Sequence, residues 1–178
     1  SKHREVTLRF INEARAVNII QHPNLVRIIH LGRQESGAPY LVMEYLDGVP
    51  LHVRLRESGG RLPLMQALDV CHQVAEALSA SHEKSIVHRD LKPENIMLLA
   101  GPQSGTLVKV FDFGIAKLPP EHMSKEFTML RTQSGQLLGT PHYMAPEQCR
   151  SDRVVSDKTD VYALACVLFR CLAGRTPF

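Results

Sequence analysis

Cysteine is scarce in this chain: four residues of 178, at positions 71, 149, 166 and 171, with no C-x-x-C spacing among them. The common zinc-site and dithiol redox spacings are therefore excluded. Cys71, Cys166 and Cys171 fall inside apolar helical patterns, which suits buried free thiols in a reducing compartment better than disulfides. Nine histidines are present, but none recurs at i, i+4 with a carboxylate, so zinc is not expected. Charge of one sign is also lacking. The formal charge is +3, the pI is near 8.7, and no run of five or six like charges occurs. No nucleic-acid or membrane-surface patch is indicated. The opening SKHREV has no apolar core of a signal peptide. The longest apolar run, Val161 to Leu172, is interrupted by Arg170 and falls short of the roughly 20 residues of a membrane span. Internal repeats and low-complexity tracts are absent.

What is there is ordinary for a globular domain: 44% hydrophobic and 22% charged residues. One domain, or one plus part of another, is the expected count. The chain does not start with Met, and GRTPF follows directly on a helical pattern. The expectation is a segment cut at both ends.

Residues 4 to 19 have helical periodicity, with Phe10, Ala14 and Val17 on one face. Two strands are expected at 24–33 and 40–45, then a linker with a short helix over LDGVPLHVRLRESGGRLP. Pro63 suits the first turn of a second helix, 63–83. There Leu64, Leu68, Cys71, Ala75 and Leu78 repeat at 4, 3, 4, 3 and predict a buried stripe. Short strands are expected at 86–87 and 96–99, with a second strand of the pair after the turn GPQSG at 101–105. Residues 112–147 lack strong periodicity. A final helix near 158–172 is apolar nearly all round and should be buried, with Gly174 ending it. Asp160, at its start, reads as a helix cap.

The loop HRDLKPEN at 88–95 concentrates chemistry. Asn95 and Asp112 are two strand-end oxygen ligands of the hard type that Mg²⁺ prefers, too few to cage it without a phosphate. Asp90 could accept a hydroxyl proton, and Lys92 could neutralise a phosphoryl oxygen. Taken alone, the loop reads better as a solvated turn of charged residues.

The loop does not stand alone. H-R-D-L-K-P-E-N at 88–95, D-F-G at 112–114 and A-P-E at 145–147 follow in order, and together they resemble the signature set of eukaryotic-type protein kinases over the whole chain. FINEARAV, LVMEYLDGVPL and KVFDFGIAKL are especially similar to bacterial serine/threonine kinases. The resemblance implies an α+β, two-lobe protein-kinase-like fold that is incomplete: residues 1–45 as the remainder of the N-lobe, 46–178 as a truncated helical C-lobe. It implies ATP and Mg²⁺ as cofactors, protein substrates with Ser or Thr acceptors, and a cytoplasmic location, with any membrane anchor outside this segment.

By the same resemblance Asp90 is the catalytic base, Lys92 contacts the transferred group, and Asn95 and Asp112 hold Mg²⁺. Lys92 in L-K-P-E-N looks like the serine/threonine branch, and Thr140 in GTPHYMAPE matches the threonine that orients base and acceptor. Glu13 matches the glutamate that pairs with an ATP-gripping strand lysine; from the helix alone, a surface pair with Arg9 is an equal reading. Met43 matches the residue gating the back of the adenine pocket, and backbone groups near Glu44 and Leu46 should meet the adenine edge. Met97 reads as pocket floor or as plain core. Ile28, Val17, Phe113 and His88 match a stacked column joining the lobes, and Asp160 gains a second role, bonding the backbone of the 88–90 loop. Arg89 matches the residue that reads a phosphorylated activation segment, with Thr132 and Ser134 as the autophosphorylation pair and Thr128 and Ser124 behind them. Two departures matter. No G-x-G-x-x-G and no V-A-I-K-like strand precede the 4–19 helix, so the segment alone is expected to be inactive and poorly covered. Glu147 of A-P-E is expected to lack its usual arginine. A pseudokinase or scaffold, or an unrelated Mg²⁺-dependent phosphotransferase, are the competing readings.

Overall fold

The computed structural model describes residues 20–34, 39–101, 105–113, 141–149 and 155–178. The expected helix at 4–19 lies outside them, as does most of 112–147. Strand β1 (Ile28–Arg33) pairs antiparallel with β2 (Pro39–Met43), with an irregularity between Ile28 and His30. The first strand was expected to begin at Asn24, and it begins four residues later because that segment pairs elsewhere. Val26 N–H donates to Val110 O at 3.0 Å, and Val110 N–H donates to Asn24 O at 2.8 Å.

A second sheet has the order β3 (Gly48–Pro50), β4 (Ile96–Ala100), β5 (Thr106–Val110), antiparallel throughout. Gly48 is required there, since a Cβ would stand 2.4 Å from Leu98 O. Residues 86–87 are not a strand. The Ile86 N–H is spent on Ser81 O, closing the turn after the preceding helix.

The helices among the described residues are α1 (Leu51–Glu57), α2 (Leu64–His82), the single turn α3 (Pro146–Cys149), which the sequence does not signal, and α4 (Asp157–Ala173). Pro63 is the residue just before α2 rather than inside its first turn. The buried face of α2 is Ala67, Val70, Cys71, Val74, Ala77, Leu78 and Ser81. The expected stripe through Leu64 and Leu68 is displaced from it, for those two are 58% and 42% exposed. Both stripes have helical spacing, and they lie about one residue apart around the axis. The one carrying small and β-branched side chains faces α4 and β5, where close approach is needed. It packs in one core with Val108, Val110, Ala163, Val167 and Cys171, each fully buried aliphatic contributing about 1.5–3 kcal/mol.

Helix α4 is capped by Ser156, not by Asp160. The Ser156 side chain accepts from Lys158 N–H, and Thr159 completes a capping box. Gly174 ends the helix at φ 76°, as expected. The helix is not buried all round: Val161 is 54% exposed, and Phe169 and Leu172 also reach the surface. Cys71, Cys166 and Cys171 are buried free thiols, and Cys149 is exposed.

Two polar networks tie these parts together. Gln73 of α2 uses its whole amide: Oε1 accepts from Asn24 Nδ2 (2.8 Å) and Val108 N (2.9 Å), while Nε2 donates to Asp69 Oδ2 (3.1 Å) and Thr106 O (2.9 Å). Lys109 Nζ lies 2.7 Å from Glu44 Oε1 and donates to Leu25 O at 3.1 Å, and the same Oε1 accepts from Arg27 N. Burial raises the Glu44 pKa, but Lys109 and the Arg27 N–H outweigh it and leave the carboxyl below its ordinary value. The clasp spans the connection between the two sheets.

Candidate active site

The site is built on the β4–β5 hairpin and the loop before it. Ile96 pairs with Val110, so Asn95, one residue earlier, and Phe111, one residue later, must lie opposite each other. Phe111 N–H donates to Asn95 O at 3.1 Å. This register brings Asn95 and Asp112 to the same end of the hairpin. Asn95 is buried, closes a short 3-10 turn (Pro93–Asn95), and donates from Nδ2 to Asp90 O at 2.9 Å. Lys92 Nζ stands 2.9 Å from Asp90 Oδ2 in a largely shielded ion pair. Asp90, Lys92, Tyr143, Gln148 and Thr159 line one shallow cleft.

Two residues of the site hold left-handed backbone, Arg89 at φ 67° and Asp112 at φ 59°. For a non-glycine residue this costs on the order of 1–3 kcal/mol and persists only where surroundings enforce it. Asp160 enforces it at Arg89. This carboxylate is fully buried in the first turn of α4, accepting from His88 N–H at 2.8 Å and Arg89 N–H at 2.9 Å. His82 Nε2 lies 2.8 Å from the same Oδ2 that His88 uses. Charge-assisted bonds and the positive end of the α4 dipole compensate the desolvated carboxylate. The backbone-bonding role expected of Asp160 is what the structure has; its capping role belongs to Ser156.

His88 is fully buried, its ring 4.5 Å from that of Phe113. Burial pushes its pKa below the ordinary histidine value, against the upward pull of Asp160 and its neighbours. Its partners fit the neutral ring: Nε2 meets Phe111 O at 3.1 Å, and Nδ1 accepts from Asp90 N–H at 3.3 Å. One nitrogen donates and the other accepts, which fixes the tautomer. Of the expected column, Ile28, His88 and Phe113 are buried; Val17 lies outside the described residues.

Other expected residues are placed as follows. Met43 ends β2 opposite Ile28 and is 43% exposed. Glu44 commits its N–H to Arg27 O and its side chain to Lys109. That leaves the carbonyl as its backbone group for a ligand edge. Leu46 follows β2, and Met97 is half-buried on β4. Arg89 Nε is buried with no hydrogen-bond partner. Glu147 Oε1 accepts from Thr159 Oγ1 at 2.7 Å. Glu13, Thr132, Ser134 and Thr140 lie outside the described residues, with Ser124 and Thr128. Among the described residues no cluster of three His, Cys, Asp or Glu could hold a metal, and none of their helices is long and apolar enough to cross a membrane. Nothing local in the sequence marks His82, Gln73 or Gln148: the first two are polar residues in a helical pattern, a common surface signal, and the third follows a segment without periodicity.

One hairpin end thus carries Asn95 and Asp112, beside the lysine-paired Asp90. The family model of the protein kinase domain matches residues 1–178, and the chain belongs to that family. It is 45% identical over 174 residues to the serine/threonine-protein kinase Pkn1 of Myxococcus xanthus, covering 98% of this chain and 24% of that protein. Its identity to PknB of Mycobacterium leprae is 40%, covering 96% and 26%. The chain thus spans about a quarter of the length of these relatives. Among solved structures, the kinase domain of Mycobacterium tuberculosis PknI matches with a TM-score of 0.73 at 26% identity, over 98% of this chain and 60% of that one. The fold is that of the protein kinases, whose members use ATP with a divalent metal.

The neutral state of His88 predicts a pH dependence. Its folded-state pKa is depressed, so its contribution is present above the unfolded value near 6.5 and is lost as pH falls below it. Each pH unit costs at most about 1.4 kcal/mol. In urea unfolding of the full-length protein, His88→Phe should be less stable than wild type at pH 7.5, with the gap narrowing toward pH 5. A gap that widens or stays constant contradicts a neutral His88.

Proposed function

We propose that this chain carries the chemical step of a serine/threonine protein kinase, transferring the γ-phosphoryl group of Mg·ATP to Ser or Thr hydroxyls of proteins. The observation that supports this most is the convergence of Asp90, Lys92, Asn95 and Asp112 on one loop and one hairpin end. Asp90 takes the hydroxyl proton as the hydroxyl oxygen bonds to phosphorus and the bond to the leaving ADP oxygen breaks. Lys92 balances charge on the transferred group. The Asn95 amide oxygen and the Asp112 carboxylate are the hard donors that would hold Mg²⁺. Glu13 and Thr140 keep the roles that the family resemblance assigns: phosphate-lysine partner, and aligner of base and acceptor. Residues 43–46 and Met97 would frame the adenine. On this reading residues 1–45 are the remainder of the N-lobe, 46–178 belong to the C-lobe, and the domain works in the cytoplasm. With no Gly-rich loop or strand lysine in the 178 residues, the segment alone lacks the donors that position a triphosphate and should transfer nothing.

Control fits the same site. The unpartnered, buried Arg89 Nε is a donor that a phosphorylated residue could satisfy. We place that phosphate on Thr132 or Ser134.

In the full-length protein, Asp90→Asn should lower kcat about 10²–10⁴-fold with little change in ATP affinity. Near-normal phosphorylation of a serine peptide by this variant would remove Asp90 as the base. Phosphopeptide mapping after autophosphorylation should find phosphate within 120–136; phosphate found only outside that range would refute the regulatory assignment.

A further inference from the structure

The carbonyl end of Arg89 is held as well, by a side chain outside the motif set. Gln148 sits in α3, directly after Glu147. Its Nε2 donates to Arg89 O at 2.8 Å, and its Oε1 accepts from Ala145 N–H at 3.1 Å. An N–H on one side and a carbonyl on the other fix the amide in a single orientation. The N–H of Arg89 goes to Asp160 Oδ1 at 2.9 Å. The left-handed residue, φ 67°, is therefore clamped at both ends, from α4 and from α3. The next residue is Asp90. Any rotation of Arg89 out of this conformation would re-aim the Asp90 carboxylate. The seat of α3 is itself tied to α4, through Glu147 Oε1 and Thr159 Oγ1 at 2.7 Å.

We propose that Gln148 is a positioning residue for phosphoryl transfer: its Nε2–H bond to the Arg89 carbonyl aims Asp90, and makes that aim depend on how residues 141–149 are seated. The inference rests on the phosphotransfer reading above. A purely local role, closing the α3 turn, needs only Oε1 on Ala145 N–H. Donation to Arg89 is a separate function of the same amide, and the two can be separated chemically. Gln148→Glu is isosteric and keeps the acceptor but cannot donate. Gln148→Met keeps the length and loses both.

The test uses the full-length protein. Gln148→Glu should lower kcat about 5–10-fold, the worth of one hydrogen bond, with ATP KM within about 2-fold and the melting temperature within a few degrees. Gln148→Met should lower kcat at least as much. Glycine adopts φ near +67° without strain, so in an Arg89→Gly background the cost of Gln148→Glu should shrink to under about 2-fold. The proposal is overturned by wild-type kcat in both Gln148 variants, or by an undiminished cost in the glycine background. It is also overturned if kcat and melting temperature fall while KM rises, including failure of both variants to fold, which marks a structural role. Loss of the kinase reading looks different: wild type would transfer no phosphate, or would do so regardless of Asp90→Asn, and this proposal would fall with it.

Discussion

A carboxylate sealed from water must find donors, and Asp160 finds the backbone N–H groups of His88 and Arg89 beside the His82 ring. Much of the site depends on this one exchange. A buried charge left without partners is far more costly than the strain of one left-handed residue. The loop therefore settles in the conformation that satisfies Asp160, even at the expense of φ 67° at Arg89. Helix α4 is the rigid frame on which the carboxylate stands, with Ser156 fixing its start and the Val167–Cys171 face buried against α2.

From that anchor the geometry is transmitted by short steps. Neutral His88 bonds Phe111 O on one side and Asp90 N–H on the other, so the loop and the residue before Asp112 share one ring. Asn95 closes the loop onto Asp90 O, and the hairpin register sets Asn95 against Phe111. The 88–95 loop and the hairpin end that carries Asn95 and Asp112 are thus spaced by backbone pairing rather than by flexible side chains. This is the preorganisation that positioning catalysis requires.

Much of this was legible in the sequence because it rests on local signals. The apolar run before Asp112 made a strand, Gly101 N–H donates to Gly105 O where the turn was expected, and the three motifs carried the family resemblance. The misplacements have physical causes. The strand expected from Asn24 begins at Ile28 because Asn24 and Val26 pair with Val110 instead, a long-range contact that no local window contains. The buried stripe of α2 was set one residue off, since leucine spacing cannot reveal that α4 and β5 need the small-residue face. Asp160 was read partly as a cap, though Ser156 three residues earlier in the chain than Thr159 fills that role. His82, Gln73 and Gln148 matter through partners as distant as 78, 49 and 59 residues, and helical pattern says nothing about those.

The claim that Asp160 holds the catalytic loop is tested most directly by amide hydrogen exchange on the full-length protein and its Asp160→Ala variant. In wild type the His88 and Arg89 amides should exchange as slowly as the core amides of α2. In the variant they should exchange at least about 10-fold faster relative to those α2 amides, since each loses a charge-assisted bond. Equal protection of His88 and Arg89 relative to α2 in both proteins would contradict the account.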